Sequence, residues 1–178
     1  MKTGIYKFKA YHADWKPSRV SSVKLYKAGT LPDAFEWNVN PSDSYPDEDL
    51  TSLINLKKGT RNFRDVEWTG FDTIAKASVV FKKKTFINSL TIGYLIDTES
   101  WIFPPKEVTI YLNVKDTIKV STTELSEGDL VKIDDVHIPI ETEVSSMTIL
   151  ISNSKLPEWH PGKGSNAWLF MDEWIFNE

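Results

Sequence analysis

With 178 residues, 40% of them hydrophobic, the chain is long enough to bury one ordinary core with a short appendage. A formal net charge of −4, from 21 Lys and Arg against 25 Asp and Glu, supplies no sequence-wide positive field for a phosphate backbone, so no nucleic-acid partner is expected. Zero cysteines exclude a disulfide framework and thiolate chemistry, and no run of about eighteen apolar residues is present, so no membrane insertion is expected.

The stretch from Met1 to Lys7 lacks the apolar h-region of a secretory signal. It starts directly in strand-like alternation, as a piece of a longer protein would, and any address label is then expected upstream. Alternating runs at 5–11 and 20–26, split by Asp14-Trp15-Lys16-Pro17-Ser18, read as a hairpin that forms a separate unit over residues 1–29. Two strands alone are marginal in water, so this hairpin must pack on the sandwich or fray. Residues 30–45, running into the polar, proline-bounded segment Pro41 to Asp49, read as a linker or lead-in loop, and residues 46–178 as the main domain.

Within that domain the hydrophobic period stays at two. Ala75, Ala77, Val79 and Phe81 share a face, and after the basic run Lys82 to Lys84, expected as a solvated turn, alternation resumes over Ile87 to Leu95. Val108, Ile110, Leu112 and Val114 share one face, while Thr109, Tyr111 and Asn113 share the other. The turn signal Ser126-Glu127-Gly128-Asp129 precedes Val136, Ile138 and Ile140, then Met147, Ile149 and Ile151, and a further turn signal comes at Pro161-Gly162-Lys163-Gly164. The last run, Trp168 to Phe176, is apolar on both faces and is expected to be central and buried. Short strands separated by turns, without βαβ alternation, predict an all-β antiparallel sandwich.

His12, His137 and His160 are isolated, without companions at metal-ligand spacing. Asp172 and Glu173 are adjacent on an expected strand, where neighbours point to opposite faces, so they are not expected to converge on one bond. No nucleophile elbow, phosphate loop or dinucleotide fingerprint is present. Three strand-end loops stand out instead: Arg61-Asn62-Phe63-Arg64-Asp65, Asp97-Thr98-Glu99-Ser100-Trp101 and Leu156 to Gly162. A sugar ring offers an apolar C–H face to an aromatic plane and a rim of hydroxyls to Arg, Asn, Glu or His, and these loops carry both kinds of group. Trp68, Trp168 and Trp174 are assigned to the core, while Trp101 and Trp159 suit either packing or binding.

The long strings Gly59 to Asp65, Trp68-Thr69-Gly70-Phe71, Tyr94 to Val108, Lys155 to Gly162 and Ala167 to Glu173 occur in the order of a known family. Over residues 46–178 the chain resembles the discoidin, or coagulation factor V/VIII C-type, domains at the C-terminus of bacterial β-hexosaminidases and chitobiases. The leading Tyr6 to Tyr26 piece is similar to the last strands of the fibronectin-like module that precedes them. The resemblance implies a galactose-binding-like jelly-roll sandwich that binds galactose- or N-acetylhexosamine-type glycans. Carried over by position, its binding residues are Arg61, Asn62, Arg64, Asp97, Trp101, Glu158, Trp159 and His160. No cofactor is implied except calcium, which relatives often hold with an Asp-Gly loop and a glutamate in the last strand. Glu173 matches that glutamate, but Asn55-Leu56 stands where Asp-Gly is usual, removing an anionic ligand and placing a side chain at a tight turn.

The resemblance further implies a non-catalytic accessory module, secreted, periplasmic or at the cell surface as part of a larger hydrolase, with a glycan ligand and the catalytic domain of the same polypeptide as partners. In a rival reading it is a docking or stabilising domain without sugar affinity, with Trp159, Ile102 and Phe103 facing the partner. A third reading, hydrolysis by this chain itself, would need Glu158 to face Asp97 or Glu99.

Overall fold

A computed structural model describes residues 4–25, 27, 29–47, 52–113, 116–122, 125 and 131–176. Strands β1 (Gly4–Phe8) and β2 (Ser21–Leu25) pair as an antiparallel hairpin, with Tyr6 opposite Val23 and Phe8 opposite Ser21. The remaining strands are β3 (Ala34–Val39), β4 (Thr69–Phe71), β5 (Ala75–Ile96), β6 (Pro105–Leu112), β7 (Asp116–Ser121), β8 (Lys132–Asn153) and β9 (Leu169–Phe176). They form one antiparallel sheet in the order β4-β9-β5-β8-β6-β7, with β3 also paired to β5. No α-helix occurs among the described residues.

Strands β5 and β8 are 22 residues each, too long for a single flat layer. Their mutual register breaks between Val80 and Thr85 and again between Ile87 and Ser89. The exposed lysines 82–84 lie at the first break, and Glu141, on the β8 side of the second, takes a left-handed φ of 51°. Here the sheet turns back on itself. The first half of β5, the second half of β8, β3, β6 and β7 make one layer; the second half of β5, the first half of β8, β9 and β4 make the other. One continuous core fills the space between, with Ala77, Ile110 and Ile149 from the first layer and Ile92, Ile138 and Trp174 from the second. The sandwich anticipated from the alternation is therefore present. Val114 and the turn at Ser126 to Asp129 lie outside the described residues.

The segment 30–45 differs from its reading as a linker. Residues 34–39 are hydrogen-bonded to β5, and Trp37 is buried, edge-on to Trp174 at 5.9 Å and tilted on Phe71 at 5.0 Å. Its indole N–H donates to Asp47 Oδ2 at 2.9 Å. The period-two signal of Phe35, Trp37 and Val39 is only three residues deep, and Asp33, Glu36, Asn38 and Asn40 around it give the stretch a loop-like composition. Residues 42–45 do form a connection: Ser42 N–H donates to the Gly70 carbonyl and Gly70 N–H to the Tyr45 carbonyl, laying this stretch along β4. Positions 48 and 49 of the proline-bounded segment are outside the described residues.

The last strand is buried along its whole length between β4 and β5, as expected. Its alternation, however, changes parity. Ile92 opposes Trp174 and Tyr94 opposes Met171, so Asp172 and Glu173 together face the single residue Gly93. This is a β-bulge. It corrects the expectation that the two acids point apart: Asp172 Oδ2 accepts from Gly59 N–H at 2.9 Å and Glu173 Oε2 from Lys57 N–H at 3.1 Å, so both reach the same loop.

The packing of β3 sets a measurable cost on its removal. Trp37→Ala should lower the unfolding free energy by about 3–5 kcal/mol in a urea titration, the cost of an emptied core site. A change within about 0.5 kcal/mol would be the behaviour of a surface linker and would contradict the strand.

Candidate functional site

Residues 97–102 close a tight loop at the end of β5. Asp97 and Ile102 exchange both backbone hydrogen bonds at 3.0 Å, and a short 3-10 turn, Thr98–Ser100, spans the gap. Asp97 caps it, its carboxylate accepting from Ser100 N–H at 3.2 Å and from the Ser100 hydroxyl at 2.8 Å. The chain then leaves the turn through Trp101 in the left-handed region, φ 66° and ψ 19°. A non-glycine residue there costs about 1 kcal/mol or more, which the loop closure and the surrounding contacts must offset. The consequence is that a large indole is turned outward, 43% exposed, at the apex of the loop.

The second loop is the string from Lys155 to Asn166, closed by Leu156 N–H to the Ser165 carbonyl and Gly164 N–H to the Leu156 carbonyl, both at 2.9 Å. Leu156 anchors it in a small apolar cluster with Phe103 and Ala167, against which Trp159 packs. His160 joins the two loops. Its Nε2 lies 3.0 Å from the Thr98 carbonyl, while Nδ1 accepts from Gly162 N–H at 3.1 Å, a pattern that assigns the neutral tautomer with the proton on Nε2. The imidazole meets Trp101 edge-to-face at 5.4 Å. Gly162 completes the seat: a Cβ there would stand 2.8–2.9 Å from the far indole carbons of Trp101, so only glycine lets the ring lie down on the loop.

The third loop, 59–68, is built from local side-chain turns. Thr60 N–H donates to Asp65, Arg64 N–H to Asn62 Oδ1, and the buried Trp68 indole to the Thr60 carbonyl at 2.8 Å. The donors around Asp65, Thr60 first among them, hold its carboxyl below the usual range. Phe63 ties this loop inward to Tyr45 and Phe170, each at 6.1 Å, and Tyr45 continues to Trp168 at 5.4 Å, whose backbone N–H donates to the Trp101 carbonyl.

The eight expected contact residues therefore divide. Trp101, Trp159 and His160 are brought together, with Trp101 presenting its ring to solvent and Trp159 half-buried against Phe103 at 5.9 Å. Asp97 and His160 are buried and have their polar atoms engaged within the loops, so they hold the platform instead of lying bare on it. Glu158 is exposed and paired with Lys163 at 3.0 Å. Arg61, Asn62 and Arg64 are exposed on the third loop, where Asn62 supports its turn and the Arg64 guanidinium lies 5.0 Å from the Phe63 ring centre. Ile102 and Phe103, expected to face a partner in the docking reading, are buried instead. Trp68 and Trp174 are core residues as expected, whereas Trp168 is only half-buried. Gly162 escaped the sequence reading as a determinant of the platform; its one visible trace was the Pro161-Gly162 turn signal.

Beneath the loop from Asn55 to Gly59 lies a buried polar cluster. The Lys58 ammonium sits 2.8 Å from Asp172 and 3.0 Å from Asp135, and a side chain at Gly93 would overlap both Lys58 and Asp172. Burial pushes the Asp172 carboxyl up, opposed by the Lys58 charge; burial pulls Lys58 down, but its two carboxylates overcome this and raise it. Glu173, 1% exposed, is pushed up to about 8 by burial and by the Asp172 charge, against backbone N–H groups of Leu56 and Lys57 that favour the anion. Its Oε1 has no partner among the described residues.

These donors do not fit calcium. A calcium ion gathers six or more oxygens, whereas here backbone N–H groups point at the Glu173 carboxyl and an ammonium already sits between Asp135 and Asp172. The tight turn itself forms without glycine, with Leu56 at φ 64° and Asn55 Oδ1 accepting from Lys57 N–H at 2.8 Å. The expectation that Leu56 would hinder that turn is corrected by this local hydrogen bond.

No family model matches the sequence, and no curated protein matches it. Among solved structures the chain is similar to the module CpGH89CBM32-4 from Clostridium perfringens in complex with GlcNAc-α-1,4-galactose, at 13% identity and a TM-score of 0.43, covering 81% of this chain and 88% of that one. A family 32 carbohydrate-binding module of C. perfringens NanJ in complex with galactose is similar at 17% identity and a TM-score of 0.41, with 82% and 93% covered. A mutant lectin binding domain of Lectinolysin complexed with Lewis b is similar at 11% identity and a TM-score of 0.49, with 85% and 99% covered. The solved structures that this chain is similar to therefore include carbohydrate-binding modules of family 32. The likeness is one of fold.

The raised Glu173 carboxyl predicts a pH dependence. Because it holds its proton more tightly when folded than when unfolded, its stabilising contribution is complete below about pH 4.5 and is lost as the pH rises through about 8. Glu173→Gln should flatten the stability profile between those limits and be the more stable protein at pH 9, by roughly 2–4 kcal/mol in chemical denaturation. Lys58→Met, which strands Asp172 without its cation, should cost about 2–4 kcal/mol at pH 7. EDTA should leave the melting temperature of the unsubstituted chain unchanged, and a fall on chelation would point to a bound metal.

Proposed function

We propose that this chain is a non-catalytic carbohydrate-binding module, secreted or surface-held as part of a larger glycoside hydrolase of the chitobiase or β-hexosaminidase kind. It binds terminal galactose- or N-acetylhexosamine-type sugars through the loops that carry Trp101 and Trp159. The observation that carries this reading is the Trp101 indole: outward-facing through a left-handed backbone, seated on Gly162, and held by the His160 clamp between two loops. A rigid exposed aromatic plane offers a sugar ring its apolar face at little entropic cost, because the ring is ordered before the ligand arrives. Glu158, Glu99 and the Arg61, Asn62 and Arg64 loop supply exposed hydrogen-bonding groups on the same set of strand-end loops. A single shallow site of this kind binds weakly, and tethering to a catalytic domain on the same polypeptide makes that weak binding useful by raising the local substrate concentration.

Hydrolysis by the chain itself is disfavoured by the state of its acids. Of the pairs that reading needs, Glu158 with Asp97 fails because Asp97 is buried and tied to Ser100, and the converging pair Asp172 and Glu173 is sealed beneath the loop at 55–59; Glu158 and Glu99 stay exposed as ligand-contacting groups.

One observation favours a docking contribution alongside sugar binding. The β1–β2 hairpin leaves Ile5, Phe8, Tyr11, Trp15 and Val23 exposed, more apolar surface than a two-stranded ribbon is expected to leave to water. In this reading the hairpin is the contact with the preceding part of the parent protein, and the sandwich is the ligand-binding part.

Isothermal titration of the chain with galactose, N-acetylgalactosamine, N-acetylglucosamine and chito-oligomers tests the proposal. Binding in the millimolar range is expected, weakened by about tenfold or more in Trp101→Ala and also weakened in Gly162→Ala, with both variants retaining the native melting temperature to within about 5 °C. Absence of heat at millimolar sugar, or full affinity in Trp101→Ala, would sink it.

A further inference from the structure

Away from the strand-end loops, the outer surface of the first layer carries a second concavity. Register fixes its walls. Tyr111 of β6 lies opposite Thr148 of β8, and Leu150 of β8 lies opposite Lys76 of β5. Val108, Ile110 and Leu112 take the core side of β6, and Met147, Ile149 and Ile151 that of β8, so Tyr111, Ser146, Thr148 and Leu150 all face outward. With Ile74 and Lys76 they line an open trough of about 480 Å3. The run from Ser146 to Leu150 is about 13 Å long at the rise of a strand, the length of a short oligosaccharide and more than a single ring needs.

We propose that this trough is a second saccharide-binding site, distinct from the Trp101 platform, and that it takes an acidic oligosaccharide. Tyr111, 42% exposed, supplies the aromatic face. Thr148 supplies an acceptor: Ser78 Oγ donates its only hydrogen to Asn38 Oδ1 at 2.9 Å, so at the 3.3 Å contact Thr148 must donate to Ser78, which leaves its lone pairs for a ligand hydroxyl. Lys76 supplies the charge preference. It lines the trough and has no carboxylate partner among the described residues, whereas Lys58, Lys82, Lys119, Lys132 and Lys163 are all paired. The rim is pre-set by Asn113, whose amide donates to the Glu143 carbonyl and accepts from Ser145 N–H.

A protein partner fits less well. The strands under the trough, β5, β8 and β6, are hydrogen-bonded on both sides and cannot receive an added strand. The lining alternates hydroxyl and apolar groups, where a stable protein interface needs a contiguous apolar centre.

The test is a two-dimensional NMR titration of the whole chain with a hyaluronan tetrasaccharide, which carries uronic carboxylates, and in parallel with uncharged chitotetraose. The expected result is shift changes at 76, 111 and 146–150 with the acidic ligand. Affinity should fall about tenfold in Tyr111→Thr and about fivefold in Lys76→Gln, the latter effect vanishing at about 1 M salt. Trp101→Ala should leave these shifts unchanged, which separates this site from the loop site. Shifts confined to 98–102 and 158–162 would overturn the inference while leaving the loop proposal standing, and equal binding of chitotetraose in the trough would overturn its acidic preference. Silence of β5, β6 and β8 toward both ligands would overturn it altogether.

Discussion

The neutral imidazole of His160 lies between the Thr98 carbonyl and the Gly162 amide, and the geometry of the candidate loop site depends on that bridge. Both ring nitrogens are satisfied within the protein, so burial of the ring leaves no polar atom orphaned. The bridge fixes the spacing of two loops that are each closed by their own backbone hydrogen bonds but otherwise belong to distant parts of the chain. Trp101 then inherits a fixed seat: His160 against its edge, Gly162 beneath it, and a left-handed backbone that directs it outward. A histidine that reads in sequence as a sugar contact is here a strut, and the presented surface belongs to its neighbour.

The same division between bearing and presenting groups recurs at the other buried polar cluster. The bulge opposite Gly93 turns Asp172 and Glu173 together toward the loop at 55–59, placing two buried carboxyl groups side by side. Lys58 answers part of their negative charge, and the proton held by Glu173 answers another part. Gly93 is required because the ammonium and carboxylate pass where a side chain would stand. A loop that could have been fastened by a divalent cation is fastened by a side chain of its own, in a cluster whose charge balance shifts with pH.

Two surfaces of different character emerge from one sandwich. The strand-end loops present the outward-facing Trp101 indole. The outer face of β5, β6 and β8 presents a longer trough with a tyrosine, hydroxyls and a lysine that has no carboxylate partner among the described residues. The hairpin at 4–25 adds a third surface, on which Ile5, Phe8, Tyr11 and Trp15 are exposed.

Period-two alternation and turn composition by themselves determined the fold class, the faces of β6, β8 and the first half of β5, and the burial of β9, because each residue's side of a sheet follows from backbone geometry alone. Strand β3 was hidden because three alternating apolar residues in a polar stretch carry too little signal until β5 offers an edge for them. The three loops were legible as aromatic and polar strings, but which of their residues is exposed was not: Asp97 and His160 are engaged and Trp101 is bare through hydrogen bonds between segments some sixty residues apart. The bulge at Asp172 and Glu173 was likewise invisible, since a parity change shows only when the facing strand is in place. Local sequence specifies the elements and their faces; the long-range hydrogen bonds and the curl of β5 and β8 decide which polar groups meet, and therefore which remain free to meet a ligand.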